Sequence, residues 1–169
     1  YGVAGNAPCS PAACTVADAS INGGIAAAAI GGTVHVEAAD FSEYVTLGKA
    51  VTLAGPHAGV HGDDAARGSA EAVIRQVAPG SGGCSAHAPL TIQSAGAVVD
   101  GIEIAGTVGG CAVRFNTALG TSGIRFVNNR VLDFASTHSS GGALFVNGTT
   151  GLEIAGNLLE DFRNNVPSG

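Results

Sequence analysis

The feature that most constrains the fold is an internal repeat in the second half of the chain. Three segments share the order Gly, apolar, charged, apolar, and they begin at Gly101, Gly123 and Gly151, so they are 22 and 28 residues apart. The last two copies stay aligned further along, as residues 129–134 and 157–162. A repeat of this length built from short alternating strands is typical of a β-solenoid, in which each repeat forms one coil and equivalent strands stack in parallel.

The alternation within these segments predicts which side chains stack from coil to coil. Successive side chains of a strand point to opposite faces, so every second residue points inward and forms an apolar ladder. The predicted ladder residues are Ile102, Ile104, Ile124, Phe126, Leu152 and Ile154. The charged residues between them, Glu103, Arg125 and Glu153, are predicted to form an outward ladder of alternating sign. We interpret this charged ladder as pairing between neighbouring coils rather than as a catalytic row.

The N-terminal part of the chain has a different pattern. Residues 16–30 are rich in Ala and carry apolar residues at helical spacing, although the Gly-Gly pair at 23–24 weakens a helix by about 1 kcal/mol per residue. Short segments with period-two alternation follow. We therefore divide the single domain into an N-terminal segment with a capping helix, residues 1–32, and a solenoid, residues 33–169.

Two stretches resemble a known group of proteins. Residues 32–56, which begin Gly-Thr-Val-His-Val-Glu and end Val-Thr-Leu-Ala-Gly-Pro, look like the first coils of the right-handed parallel β-helix superfamily that includes pectate lyases and pectin methylesterases. The repeats, with Asn129 and Asn157 at matching turn positions, resemble the generic repeats of that superfamily. The resemblance covers residues 16–163.

The resemblance implies an all-β fold. It implies a right-handed parallel β-helix with three strands per coil, about five or six coils, and a short helix that caps the N-terminal end. It also implies that the stacked side chains of Asn129 and Asn157 hydrogen-bond along the ladder, as an Asn in a left-handed turn is able to do.

Four cysteines, Cys9, Cys14, Cys84 and Cys111, indicate the compartment. They allow three pairings; Cys9 and Cys14 flank a turn with Pro, and Cys84 and Cys111 each follow a Gly-Gly pair. The chain has no Cys-x-x-Cys motif and no His at ligand spacing, which favours two disulfides over a metal site. We therefore predict an oxidising location, extracellular or at the cell surface.

Charge and hydropathy argue against several partners. The formal net charge is −6 with only seven Lys and Arg, which argues against nucleic acid as a partner. The longest apolar runs stay far below the roughly 18 residues of a transmembrane helix, so we predict no membrane span. We also predict no cofactor and no metal site.

Asp133 and Asp161 are the candidates for a catalytic or cation-binding site. The repeat places them on neighbouring coils, where their carboxylates approach within about 5 Å and one pKa is raised or a cation is held. The alternative, which we favour, is that both cap turns and point into water beside Arg130 and Arg163.

We expect a secreted, non-enzymatic structural or adhesive module. The chain does not match the catalytic residue sets that the resemblance would imply, and it has no Trp for a sugar-binding groove. The alternative is a carbohydrate-active domain, of the polysaccharide lyase or pectin esterase kind, or a carbohydrate-binding domain with a polysaccharide partner.

The ends of the solenoid lead to an expectation about assembly. The seven residues after Phe162 are too few and too polar to cover the last rung of the core. The chain continues, or a partner covers the rung, or copies stack end to end, since an uncovered strand edge is a template for another chain. Among these, we expect self-association through the solenoid ends, giving a filament or surface structure.

Overall fold

The computed structural model describes residues 2–3, 17–77, 84, 88–106, 108–136 and 142–164. They form a short helix, α1 (Ile21–Ala27), and short strands. The strands are β1 (Gly2–Val3), β2 (Ala17–Asp18), β3 (Thr33–Val36), β4 (Ala39–Ser42), β5 (Val45–Leu47), β6 (Thr52–Ala54), β7 (Ala72–Arg75), β8 (Leu90–Ile92), β9 (Val98–Asp100), β10 (Glu103–Ala105), β11 (Val108–Gly109), β12 (Cys111–Thr121), β13 (Arg125–Val127), β14 (Arg130–Leu132), β15 (Ala135–Ser136), β16 (Gly142–Thr149), β17 (Glu153–Ala155), β18 (Leu158–Leu159) and β19 (Arg163–Asn164).

The strands form three main sheets and one minor sheet, and the pairs between the described strands are parallel. Sheet A has the order β17-β13-β9-β6-β3-β1-β2, and sheet B has the order β18-β14-β10-β7-β4. Sheet C has the order β16-β12-β8-β5, and the minor sheet D has the order β11-β15-β19. From β3 onward the chain passes from sheet to sheet and returns one strand further along, so it winds into stacked coils. The fold is a parallel β-helix with a helix at its N-terminal end.

Inward side chains of the three main sheets form one continuous core. The three coils from β3 to β12 each contribute a large apolar residue to each ladder, and these residues are at most 5% exposed. The ladder of sheet A contains Val34, Leu53, Val99 and Phe126, and that of sheet B contains Phe41, Ile74, Ile104 and Val131. The stack is therefore stabilised by burial of apolar area that recurs with every coil.

The register of the coils corrects the predicted alignment of the first two repeat segments. Phe126 pairs with Val99 and not with Ile104, so the offset between the segments at Gly101 and Gly123 is shorter than one coil. Phe126 also pairs with Ile154, which agrees with the predicted alignment of the last two segments. The two segments look alike because each begins at a corner and continues with apolar residues that alternately point inward. However, Gly101 leads into β10 of sheet B, whereas Gly123 leads into β13 of sheet A.

Residues with positive φ mark the corners between the sheets. Three sets recur once per coil, with φ between 52° and 75°. The sets are Gly96, Gly123 and Gly151; Gly101, Asn128 and Gly156; and Gly106, Asp133 and Asp161. Gly, Asn and Asp are the residues that tolerate this left-handed conformation. The left-handed Asn is thus Asn128, and not Asn129 as the resemblance implied.

Asn129 and Asn157 form a hydrogen-bonded ladder inside one corner. Asn129 is fully buried; its Oδ1 accepts from the N–H of Ile102 at 2.9 Å and its Nδ2 donates to the carbonyl oxygen of Val99 at 3.0 Å. Asn157 repeats this one coil later, accepting from the N–H of Asn129 and donating to the carbonyl oxygen of Phe126, both at 2.8 Å. Each Asn side chain therefore satisfies backbone groups of the preceding coil.

Helix α1 packs against the first coil and buries Ile21 and Ile25. The Glu43 carboxylate accepts hydrogen bonds from the first two N–H groups of the helix, at 2.6 and 3.2 Å. Lys49 donates to two carbonyl oxygens at the C-terminal end of the helix, at 2.8 and 2.5 Å. Both charges complement the helix dipole. Ile30, which the predicted span included, lies beyond the helix and is 80% exposed. No helix in the described ranges has the length and apolar character to cross a bilayer.

A disulfide joins Cys84 to Cys111. The two residues are 27 positions apart in the sequence, and their Cα atoms are 4.9 Å apart, close to the spacing of stacked strands. The bond therefore links β12 to the chain that precedes β8, its neighbour in sheet C. Cys9 and Cys14 lie outside the described residues.

The polar excursion of residues 57–72 folds over the corner between sheets A and B, and we call it the strap. The N–H of Gly59 donates to the Asp100 carboxylate at 2.9 Å, and the N–H of Gly62 donates to the carbonyl oxygen of Gly156 at 2.7 Å. A Cβ on Gly62 would lie 2.5 Å from solenoid backbone atoms, so only glycine permits this approach. The strap thus runs across the stack and borders the outer face of sheet B.

Candidate functional site

A groove of about 540 Å³ lies between the outer face of sheet B and the strap. Its walls carry five charged side chains, Asp40, Glu71, Arg75, Glu103 and Arg130. Charged residues make up only 12% of the chain, so their concentration here makes the groove the candidate functional site.

Four lining residues form one outward row across sheet B. Asp40 is paired with Val73, Val73 with Glu103, and Glu103 with Arg130. Because neighbouring strands are about 4.8 Å apart, the row presents acid, apolar, acid and base in succession along the solenoid axis. This corrects the predicted position of Glu103 beside Arg125, since β10 belongs to sheet B and β13 to sheet A.

Glu71 and Arg67 anchor the strap through a buried ion pair. The Glu71 carboxylate accepts from Nε and Nη2 of Arg67 at 2.6 and 2.9 Å, and the two side chains are 6% and 0% exposed. Arg67 also donates through Nη1 to the carbonyl oxygen of Asn128 at the corner of the solenoid. Removing one partner of such a pair leaves a buried charge uncompensated, which typically costs about 3–5 kcal/mol. The pair therefore fixes the groove wall that carries Glu71.

Arg130 is shared between the two carboxylates on the inner side of the groove. Its Nη1 lies 3.5 Å from Glu71 Oε1 and 3.8 Å from Glu103 Oε2. The Nε of Arg130 and the Nε2 of His57 are buried without a hydrogen-bond partner among the described residues. His57 Nε2 lies 3.9 Å from Glu71 Oε1. The cluster thus holds polar atoms that its own side chains do not satisfy.

Burial raises the pKa of Glu103 above its ordinary value, and the negative charge of Glu71 raises it further, whereas the positive charge of Arg130 opposes this change. Glu103 therefore keeps its proton to a higher pH than a free glutamate does.

Asp40 and Arg75 form the exposed side of the groove. Arg75 Nε donates to Asp40 Oδ1 at 2.9 Å, with side chains 44% and 61% exposed. An exposed pair of this kind exchanges readily with water and contributes little to stability. Both side chains are consequently able to turn toward a ligand.

The chemistry of the groove is that of a mixed-charge site. The groove presents carboxylate acceptors and guanidinium donors on the same face, an arrangement suited to polar ligands with several hydrogen-bonding groups. Within the described residues, no three His, Cys, Asp or Glu side chains group to hold a metal ion.

Asp133 and Asp161 lie on neighbouring coils, at the third set of corners. Both have a left-handed φ, 52° and 57°, and both are exposed. With Phe134 and Arg163 they line a cleft of about 100 Å³. Gly106 occupies the same corner one coil earlier, so the shared feature of the position is its backbone conformation rather than a carboxylate. The requirement for a left-handed turn accounts for both Asp residues.

Arg125 and Glu153 are neighbours on the outer face of sheet A. Arg125 Nε lies 2.6 Å from Glu153 Oε2, and both side chains are about half exposed. The hydrogen bond from Arg125 lowers the pKa of Glu153 below its ordinary value. The charged ladder therefore contains these two residues without Glu103.

Sequence reasoning did not identify Arg67 and Glu71, because the excursion carries no periodic pattern. The sequence offered one sign of their ion pair, which is that the two opposite charges are four residues apart in a Gly-rich stretch. Their proximity to Arg130 depends on how the strap folds back, which has no local sequence signature.

The C-terminal coil exposes apolar side chains that earlier coils bury. Ile154 is 43% exposed, Leu159 39% and Phe162 43%, and we call these three residues the end rung. Phe162 packs against Phe134, with ring centroids 6.0 Å apart. The described residues contain no strand stacked beyond β17 and β18.

Comparisons of the chain with protein-family models, with curated proteins and with solved structures give no match.

Proposed function

We propose that the chain is a secreted structural or adhesive module that pairs with a second copy through the end rung. The supporting observation is the exposure of Ile154, Leu159 and Phe162. Completing the burial of each half-exposed side chain contributes about 1 kcal/mol. The edges of β17 and β18 also offer backbone groups to another strand.

The two ends of the solenoid differ, and this difference determines the proposed geometry. Helix α1 covers the first coil, with Ile21 and Ile25 buried beneath it. Repeated head-to-tail stacking needs an open rung at both ends, so α1 disfavours the filament expected from the sequence. Two end rungs facing each other give a closed two-fold pair instead. The disulfide between Cys84 and Cys111 supports an oxidising, extracellular or cell-surface location for this pair.

Light scattering coupled to size-exclusion chromatography tests this proposal. We expect the wild-type chain to form a concentration-dependent dimer and the double variant Leu159→Asp/Phe162→Asp to be monomeric. Ile30→Asp is the matched control, because it charges an exposed apolar residue at the opposite end. A wild-type chain that stays monomeric up to its solubility limit refutes the proposal, as does an Ile30→Asp variant that loses the dimer equally.

A second candidate function is carbohydrate binding or cleavage in the groove, as in the pectate-lyase-like superfamily that the sequence resembles. The observation that favours it is the row of donors and acceptors from Asp40 to Arg130, which follows the solenoid axis. A polymer lying along that axis meets a charged or polar group on most of the coils that it crosses.

Native electrophoresis in gels containing pectin or another polysaccharide tests the second candidate. We expect the polysaccharide to retard the wild-type chain and not Ser69→Trp, which places a large side chain in the exposed wall of the groove. Asp161→Asn, at the separate cleft, serves as the control. Retardation that Ser69→Trp leaves unchanged, or its absence in every polysaccharide, rules out the groove as the carbohydrate site.

A further inference from the structure

The groove contains one guanidinium whose charge is not committed to one partner. Arg130 Nη1 stands between Glu71 and Glu103 at 3.5 and 3.8 Å, both longer than a close hydrogen bond. Its Nε is buried without a hydrogen-bond partner among the described residues. Arg67, by contrast, is fully buried and bound bidentately to Glu71.

The two carboxylates near Arg130 differ in how they depend on it. Glu71 keeps the two short hydrogen bonds from Arg67 whether or not Arg130 is present. Glu103 has no such second guanidinium in contact, and Arg130 is its ion-pair partner within the described residues. The protonation state of Glu103 therefore decides how much negative charge faces Arg130.

The other charged side chains around Glu103 lie on strands β4 and β7 and on the strap. Strand β7 contributes Arg75, which is paired with Asp40 of β4. The strap contributes Glu71 and Arg67, with His57 3.9 Å from Glu71. With Glu103 ionised, the carboxylates of Asp40, Glu71 and Glu103 balance the guanidinia of Arg67, Arg75 and Arg130. Protonation of Glu103 leaves one positive charge in excess.

We propose that the groove binds an anionic group at Arg130 and that protonation of Glu103 makes Arg130 available for it. The raised pKa of Glu103 supports this coupling, because the neutral form is already favoured by burial and by Glu71. The inference rests on the groove being a binding site, as in the second candidate function, and it names the ligand as one bearing a carboxylate, sulfate or phosphate group.

Sulfate is a suitable probe, since its charge stays constant between pH 4 and pH 8. Isothermal titration of the wild-type chain at constant ionic strength should show tight binding at low pH and an affinity that falls by up to about tenfold per pH unit above the pKa of Glu103. By reciprocity, saturating sulfate should raise the pKa of Glu103 as followed by carboxyl carbon NMR. This second readout needs no variant.

Variants separate the contribution of Glu103 from that of the neighbouring His57. Glu103→Gln should bind sulfate at neutral pH as tightly as the wild type does at low pH, and its affinity should not change with pH. His57→Gln should keep the wild-type profile, and Arg125→Gln, which removes a guanidinium on sheet A, should leave binding unchanged. The proposal is overturned if the affinity of the wild type for sulfate does not depend on pH. It is also overturned if the affinity of Glu103→Gln depends on pH, or if His57→Gln abolishes the pH dependence. Polysaccharide retardation without sulfate binding refutes this inference alone, and sulfate binding without retardation refutes only the carbohydrate function.

Discussion

The Asn ladder provides a sharp test of how the coils are held together. Replacing Asn129 by Ala removes the acceptor of the Ile102 N–H and the donor to the Val99 carbonyl, bonds of 2.9 and 3.0 Å in a corner where all three residues are fully buried. These groups are shielded from bulk water, because the residues that carry them are buried. The backbone groups of the preceding coil are thus left unsatisfied.

The cost follows from the number of groups left unsatisfied. Each buried, unsatisfied backbone group costs about 1–3 kcal/mol, so Asn129→Ala should lower the free energy of unfolding by about 3 kcal/mol. For a chain of this size, that corresponds to a fall in Tm of about 9 °C. Asn157→Ala is the matched control, because it removes the same pair of bonds in a coil that is more open to water. There we expect a loss of about 1 kcal/mol.

Urea unfolding followed by circular dichroism measures both losses. The m-value should stay constant if both variants unfold the same native structure. A loss below about 1 kcal/mol for Asn129→Ala, or an equal loss for the two variants, contradicts the assigned role of the buried bonds.

Further variants test separate parts of the fold. Cys111→Ala opens the loop that the disulfide closes between two residues 27 positions apart. It should cost about 3.5 kcal/mol of stability under oxidising conditions and little under reducing conditions, as measured by urea unfolding. Lys49→Met removes the donor to the last carbonyls of α1 and should cost about 1 kcal/mol, with loss of amide protection confined to α1 and the first coil. Glu103→Gln should be more stable than the wild type at neutral pH. Because the folded pKa of Glu103 is raised, the wild type loses stability as the pH rises through that pKa, and the difference should vanish at pH values below the ordinary glutamate pKa. A larger advantage for the variant at low pH would reverse the sign assigned to Glu103.

The fold could be predicted from the sequence because its signals are local. Period-two alternation defines the strands, and the glycines that precede them mark left-handed corners. The register could not be predicted from the same signals, since Gly101 and Gly123 serve similar corners that lead into different sheets.

The groove could not be predicted from the sequence either, because its composition depends on the register of the strands. Glu103 was identified as an outward charge, but its neighbour depends on the register, which places Arg130 beside it instead of Arg125. The contact of Glu71 with Arg130 exists only because the strap folds back over the stack. Asp133 and Asp161 were placed on neighbouring coils from the repeat alone, since the alignment of the last two repeat segments is correct.

The most direct test of the account is the register around Glu103, because the composition of the groove depends on it. Backbone nuclear Overhauser effects in a uniformly labelled sample report which strand lies beside β10. Parallel pairing predicts cross-strand contacts between the backbone protons of Glu103 and Arg130. Contacts between Glu103 and Arg125, the pair suggested by the sequence repeat, would contradict both the register and the groove.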